Sequence, residues 1–113
     1  MHPAVRLISG CMLAALVACG DAKVDITSNP RTFDKEAWRA DRGNDRCDMA
    51  ADLIERVGLR GRTRAELVAL VGEADKRDGP SDFYYLCPSY MDIYVLEIRW
   101  RGERVAGAVI RDT

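Results

Sequence analysis

Four thiols, at Cys11, Cys19, Cys47 and Cys87, are the first side chains to consider for chemistry in this chain. Their settings differ. Cys11 lies inside the apolar run Leu7 to Val17, and Cys19 follows that run directly. Cys47 and Cys87 stand apart in the more polar remainder. Other reactive groups are scarce. The one histidine is His2, so the body of the chain lacks the commonest general base and the commonest metal ligand. Beyond residue 20 the serines are Ser28, Ser81 and Ser89, in loop-like segments without a nucleophile motif, and no glycine-rich phosphate loop occurs. Asp41, Asp45, Asp48 and Asp52 lie among arginines and read as a solvated helix face rather than a paired-carboxylate site. The expectation is a protein that is not an enzyme, with no catalytic residues and no metal.

The N-terminus explains Cys19. Met1 to Arg6 carries positive charge and no acid, and Leu7 to Val17 is uncharged and mostly apolar. Eleven residues are too few to cross the hydrocarbon core, which takes about 20. They suit the apolar region of a secretory signal, normally about 7–15 residues. The run ends in Leu16-Val17-Ala18-Cys19 before Gly20-Asp21, and this resembles the lipobox of bacterial lipoproteins. In such proteins the thiol receives a diacylglyceryl group and the chain is cut just before it. Residues 1–18 are then a signal peptide, and Cys19 is the lipid-bearing first residue, the covalent lipid being the only prosthetic group expected. Gly20, in place of an aspartate that retains lipoproteins in the inner membrane, favours the outer one. The expected location is therefore exported, lipid-anchored and periplasm-facing.

Cleavage removes Arg6 from the seventeen basic residues, leaving sixteen against eighteen acidic ones, a net charge of −2. That balance does not suggest nucleic acid, which calls for a basic patch or stripe. Export also places Cys47 and Cys87 in an oxidising compartment, where two remaining cysteines are a natural pair. Two free buried thiols are the alternative.

These residues need elements to hold them. Residues 19–32 are polar, contain Asn29-Pro30 and read as a flexible tether. The folded domain is expected over 33–113. Phe33 and Trp38 are too apolar for a free segment and should pack back onto it, in a short helix. In Asp45 to Val57 the residues Met49, Leu53, Ile54 and Val57 form a helical stripe. Thr63-Arg64-Ala65-Glu66 matches a capping box, and Leu67, Leu70 and Val71 continue a second helix that Gly72 stops. After a turn-rich stretch from Lys76 to Asp82 come strands: Asp82 to Cys87, then Ile93 to Arg101, which alternates clearly. Gly102-Glu103 suits a two-residue type II′ hairpin, setting Trp100 opposite Val105, Ile98 opposite Gly107 and Leu96 opposite Val109. The fold class is α+β: two helices packed on one face of a three-stranded antiparallel meander, a two-layer sandwich.

The segment Gly61-Arg62-Thr63-Arg64-Ala65-Glu66-Leu67-Val68-Ala69-Leu70-Val71-Gly72 resembles the Gly-Met-Thr to Leu-Gly segment of the BamE/SmpA/OmlA lipoproteins. Gly61, Thr63 and Gly72 match that pattern, whereas Arg62, Val71 and Ala74 replace its Met, Leu and Pro. The lipobox, the two helices and the terminal hairpin extend the likeness over most of the mature chain. The resemblance implies an accessory subunit of outer-membrane protein assembly, acting by binding protein and lipid.

Two places could serve binding. The loop Pro88 to Asp92 offers Tyr90 and Met91, of types enriched at interfaces. The expected hairpin register puts Ile93, Val95, Arg99, Ala106, Ala108 and Ile110 on the sheet face away from the helices. That strip is either a partner surface or ground covered by Phe33, Trp38 and the rest of 33–45. The function expected is a non-catalytic envelope lipoprotein that binds an envelope protein complex. The alternative is a periplasmic inhibitor or immunity lipoprotein that binds a secreted enzyme or toxin.

Overall fold

The computed structural model describes residue 26 and residues 29–113. The chain builds three helices, α1 (Lys35–Ala40), α2 (Asp45–Asp52, continued by a wider π turn over Leu53–Val57) and α3 (Arg64–Val71). Four strands follow, β1 (Lys76–Asp78), β2 (Ser81–Pro88), β3 (Ile93–Arg101) and β4 (Arg104–Asp112), paired in that order as an antiparallel meander. The α+β class is as expected, but the sheet has four strands rather than three. The extra strand is β1, whose Lys76, Arg77 and Asp78 are all exposed. A strand without apolar residues carries no alternation to recognise it by.

Local chemistry ends each helix. Asp34 caps α1, accepting from the amides of Glu36 and Ala37 at 2.8 and 3.2 Å. The capping box of α3 is complete: the Glu66 amide donates to Thr63 Oγ1, and the Thr63 amide donates to Glu66 Oε1 at 2.8 Å. Helix α2 closes where the Gly58 amide donates to the Leu53 carbonyl at 2.9 Å, a five-residue step. Gly58 takes a φ of +83° there, a conformation open to glycine.

One core joins the layers. Trp38, Met49, Leu53, Leu67 and Val71 from the helices meet Tyr84, Leu86, Leu96, Ile98 and Val105 from the sheet. Cys47 and Cys87 form a disulfide from α2 to β2, with their Cα atoms 5.9 Å apart. A bulge between Tyr85 and Cys87 makes this bridge possible. It turns both Leu86 and Cys87 toward the helices, where strict alternation would send one of them away.

Asp41 is exposed as expected, but Asp45 and Asp52 are half-buried and Asp48 is buried, because the chain before α1 lies against them. Asp48 Oδ1 accepts the Asn29 amide at 3.3 Å, and its carbonyl accepts the Arg31 amide at 3.1 Å. Asp52 Oδ2 accepts the Phe33 amide at 2.8 Å, and Asp45 pairs with Arg31 at 3.1 Å. Residues 29–33 thus run along α2, clipped to its carboxylates, and Ile26 packs against the core. Phe33 and Trp38 also belong to the helix layer, their rings 6.0 Å apart, so this segment does not cover the outer sheet face.

Candidate binding surface

The outer face of the sheet is built in rungs. Asp78, Ser81, Arg99 and Gly107 form one, and Lys76, Phe83, Glu97 and Val109 the next. Tyr85, Val95 and Arg111 form the third, with Pro88 and Ile93 beyond it. An open hollow of about 630 Å³ spans these rungs, floored by Phe83, Tyr85 and Ile93 with Val95 buried beneath them. Lys76, Asp78, Asp92 and Arg111 make its rim, two cations and two anions. Tyr85 and Val109 are 41% and 37% exposed, well above most large apolar side chains of a folded domain.

Two devices hold this face in shape. The first is Glu97, which is only 6% exposed although it points away from the core. Its carboxylate accepts from Ser81 Oγ at 2.8 Å, Arg111 Nη1 at 2.8 Å and Arg99 Nε at 3.3 Å. Burial pushes its pKa up, but the bonds from Arg111, Ser81 and Arg99 outweigh burial and bring it down to about 2. A carboxylate depressed on folding contributes stability at neutral pH, and loses it as pH falls from about 4.5 to about 2. Glu97→Gln should therefore destabilise the domain by about 2 kcal/mol at pH 7, discounted because both arginines are half in water. The gap to the parent should narrow by pH 3, as urea unfolding at both pH values would record.

The second device is Arg46, which crosses from α2 to the sheet edge beyond β1. Its Nη1 donates to the Tyr85 carbonyl at 2.9 Å, and its Nε donates to the Trp38 carbonyl at 2.8 Å. Asp75 Oδ2 accepts the Tyr85 amide at 2.8 Å and lies 3.4 Å from Arg46 Nη1. Both backbone groups of Tyr85 are thus taken by side chains where no strand pairs with them, which fixes the Tyr85 backbone beside the hollow.

The expected site residues fall in several places. Ile93 and Val95 line the hollow. Arg99 is on the same face, bonded to Glu97 rather than lining the hollow. Tyr90 and Met91 protrude from the β2–β3 loop, 96% and 85% exposed. Ile110 is a correction. A bulge lies where Trp100 pairs with Val105 but Arg99 pairs with Gly107. The hairpin turn is the expected one, Gly102 having a φ of +61° and Arg101 pairing Arg104, yet Ala106 is an extra residue in β4. Ile98 therefore faces Ala108 and Leu96 faces Ile110, not Gly107 and Val109. One inserted residue exchanges the two faces. Ala108 and Ile110 pack against the core, and Val109 and Arg111 take the outer face.

Phe83, Tyr85 and Arg111 were not singled out from sequence. The alternation about Tyr84 carries the first two, whereas Arg111 is hidden by the bulge. Cys47 and Cys87 form the expected disulfide. The lipid-attachment residue Cys19 and the lipobox residues Leu16, Val17 and Ala18 lie outside the described residues. Among the described residues no three His, Cys, Asp or Glu side chains converge as metal ligands, and no helix is long and apolar enough to cross a membrane. No family model, curated protein or solved structure matches the chain.

Proposed function

We propose that this chain is a BamE-like envelope lipoprotein, held to a membrane through a lipid on Cys19, that works by binding a protein partner on the outer face of its sheet. The observation that carries the binding reading is the hollow floored by Phe83, Tyr85 and Ile93, on the face the helices leave open. Concave apolar ground with a polar rim is what a partner's anchoring side chain fills. Side chains that hold the hollow rigid, Glu97 and Arg46, reduce the ordering cost of association. The lipobox and the N-terminal signal support the anchor and the periplasm-facing location, with the outer membrane as the favoured one. The resemblance around Gly61 to Gly72 favours an accessory role in outer-membrane protein assembly.

A photo-reactive residue placed at Tyr85 in the full-length protein should form an adduct with a protein of the intact envelope, and one placed at Glu36 on the helix layer should not. Adducts with barrel-assembly subunits support the assembly role, and adducts with one secreted enzyme support an inhibitor instead. Equal adducts at both positions, or none at Tyr85, would overturn the reading. The anchor has its own test. Cys19→Ser is expected to leave the precursor uncleaved and unlipidated, and normal processing of that variant would refute the lipobox assignment.

A further inference from the structure

Tyr90 and Met91 are 96% and 85% exposed, side by side on the loop that leads out of β2. The loop is not slack. The Ser89 amide donates to the Asp92 carbonyl at 2.9 Å, and the Asp92 amide donates to Ser89 Oγ at 3.0 Å. This closure carries two large side chains into solvent, away from the apolar ground of Ile93 and Tyr85 behind them. An aromatic ring with a hydroxyl beside a flexible thioether suits the headgroup boundary of a bilayer, one end apolar and the other wet.

The tip's position says which surface it meets. Residues 29–31 bond to Asp45 and Asp48 on α2, around Cys47, and Cys47 is bridged to Cys87 two residues before Ser89. Ile26 is already packed against the core, so only six residues separate it from Cys19, a reach of about 25 Å even if fully extended. The domain is thus kept close to its membrane, and the tip follows directly on Cys87, which the disulfide ties to the stretch of α2 that residues 29–31 contact.

We propose that Tyr90 and Met91 rest in the interfacial layer of the membrane that holds the lipid, and so fix the domain's orientation with the outer sheet face turned sideways and open. The proposal rests on the lipid-anchor reading. Asp92 at the base of the tip argues for a zwitterionic rather than an anionic surface.

The test uses the full-length lipidated protein carrying Tyr90→Trp, in phosphatidylcholine vesicles whose acyl chains are brominated near the headgroup. Trp38 is fully buried, and Trp100 lies at the far end of β3, so neither native indole is in reach of the bromines. The introduced indole should lose about half its emission and shift to the blue on reconstitution. Met91→Trp should behave alike, which guards against one variant that folds badly. Protein that floats with the vesicles while its introduced indole stays unquenched would overturn the tip contact and leave the anchor standing. Protein that does not float with them overturns the anchor, and the tip contact with it.

Discussion

Cys47→Ser is expected to destabilise the domain by about 3–4 kcal/mol, the loop-closure entropy of a bridge spanning about 40 residues. For a domain of this size that corresponds to a fall in Tm of roughly 15–25 °C. The bridge runs between layers, from α2 to the bulged end of β2, so its loss frees that end of the sheet from the helix. Both cysteines are buried, at 1% and 8% exposure, so the serine also leaves a hydroxyl in apolar surroundings. Thermal unfolding of parent and variant, with and without reductant, checks this. Reductant should lower the parent's Tm to near that of the variant and leave the variant unmoved. A parent whose Tm ignores reductant under conditions that open the bridge would contradict the assignment.

Arg46→Met should cost about 3 kcal/mol, close to the loss of the disulfide. The methionine matches much of the arginine's length, so the effect is not one of volume. It strips the Arg46 donors from the carbonyls of Trp38 and Tyr85 and removes the guanidinium stacked 5.0 Å from the Trp38 ring. Lysine should not rescue it, because a point charge on a flexible stem cannot serve two carbonyls in the fork geometry that the guanidinium holds. Urea unfolding at constant m-value reads the loss as a lower midpoint. The same variants should weaken any adduct formed at Tyr85, since Arg46 fixes that residue's backbone.

What could be read from the sequence divides by range. The capping box of Thr63 and Glu66 and the turn at Gly102-Glu103 are settled by groups within a few residues of one another, and both stand as read. The stripes of Met49, Leu53, Leu67 and Val71 reach the core for the same reason. The bulges at Leu86 and Ala106 arise where side chains distant in sequence compete for the core, and no local pattern announces them. One of them moved Ile110 off the outer face and Arg111 onto it. Strand β1 escaped because Lys76, Arg77 and Asp78 are identified only by their pairing with β2. Asp48 and Asp52 were misread because the amides they accept lie 19 residues earlier in the chain. Of the candidate surface, Ile93 and Val95 were visible through simple alternation, while Glu97 and Arg46, which stiffen it, look like ordinary charges until their partners are known.

The lipid anchor proposed above would confine copies to a plane, where neighbours meet far more often than in free solution. A sheet with bare margins would be at risk there, since unpaired backbone groups invite pairing with the next copy. In this fold Arg46 and Asp75 occupy both backbone groups of Tyr85, and the Gly61 amide and Arg62 carbonyl do the same for Val105 at the opposite margin. Each seal is made without lengthening the sheet. At Tyr85 and Val105 a second copy would find the sheet margin already closed.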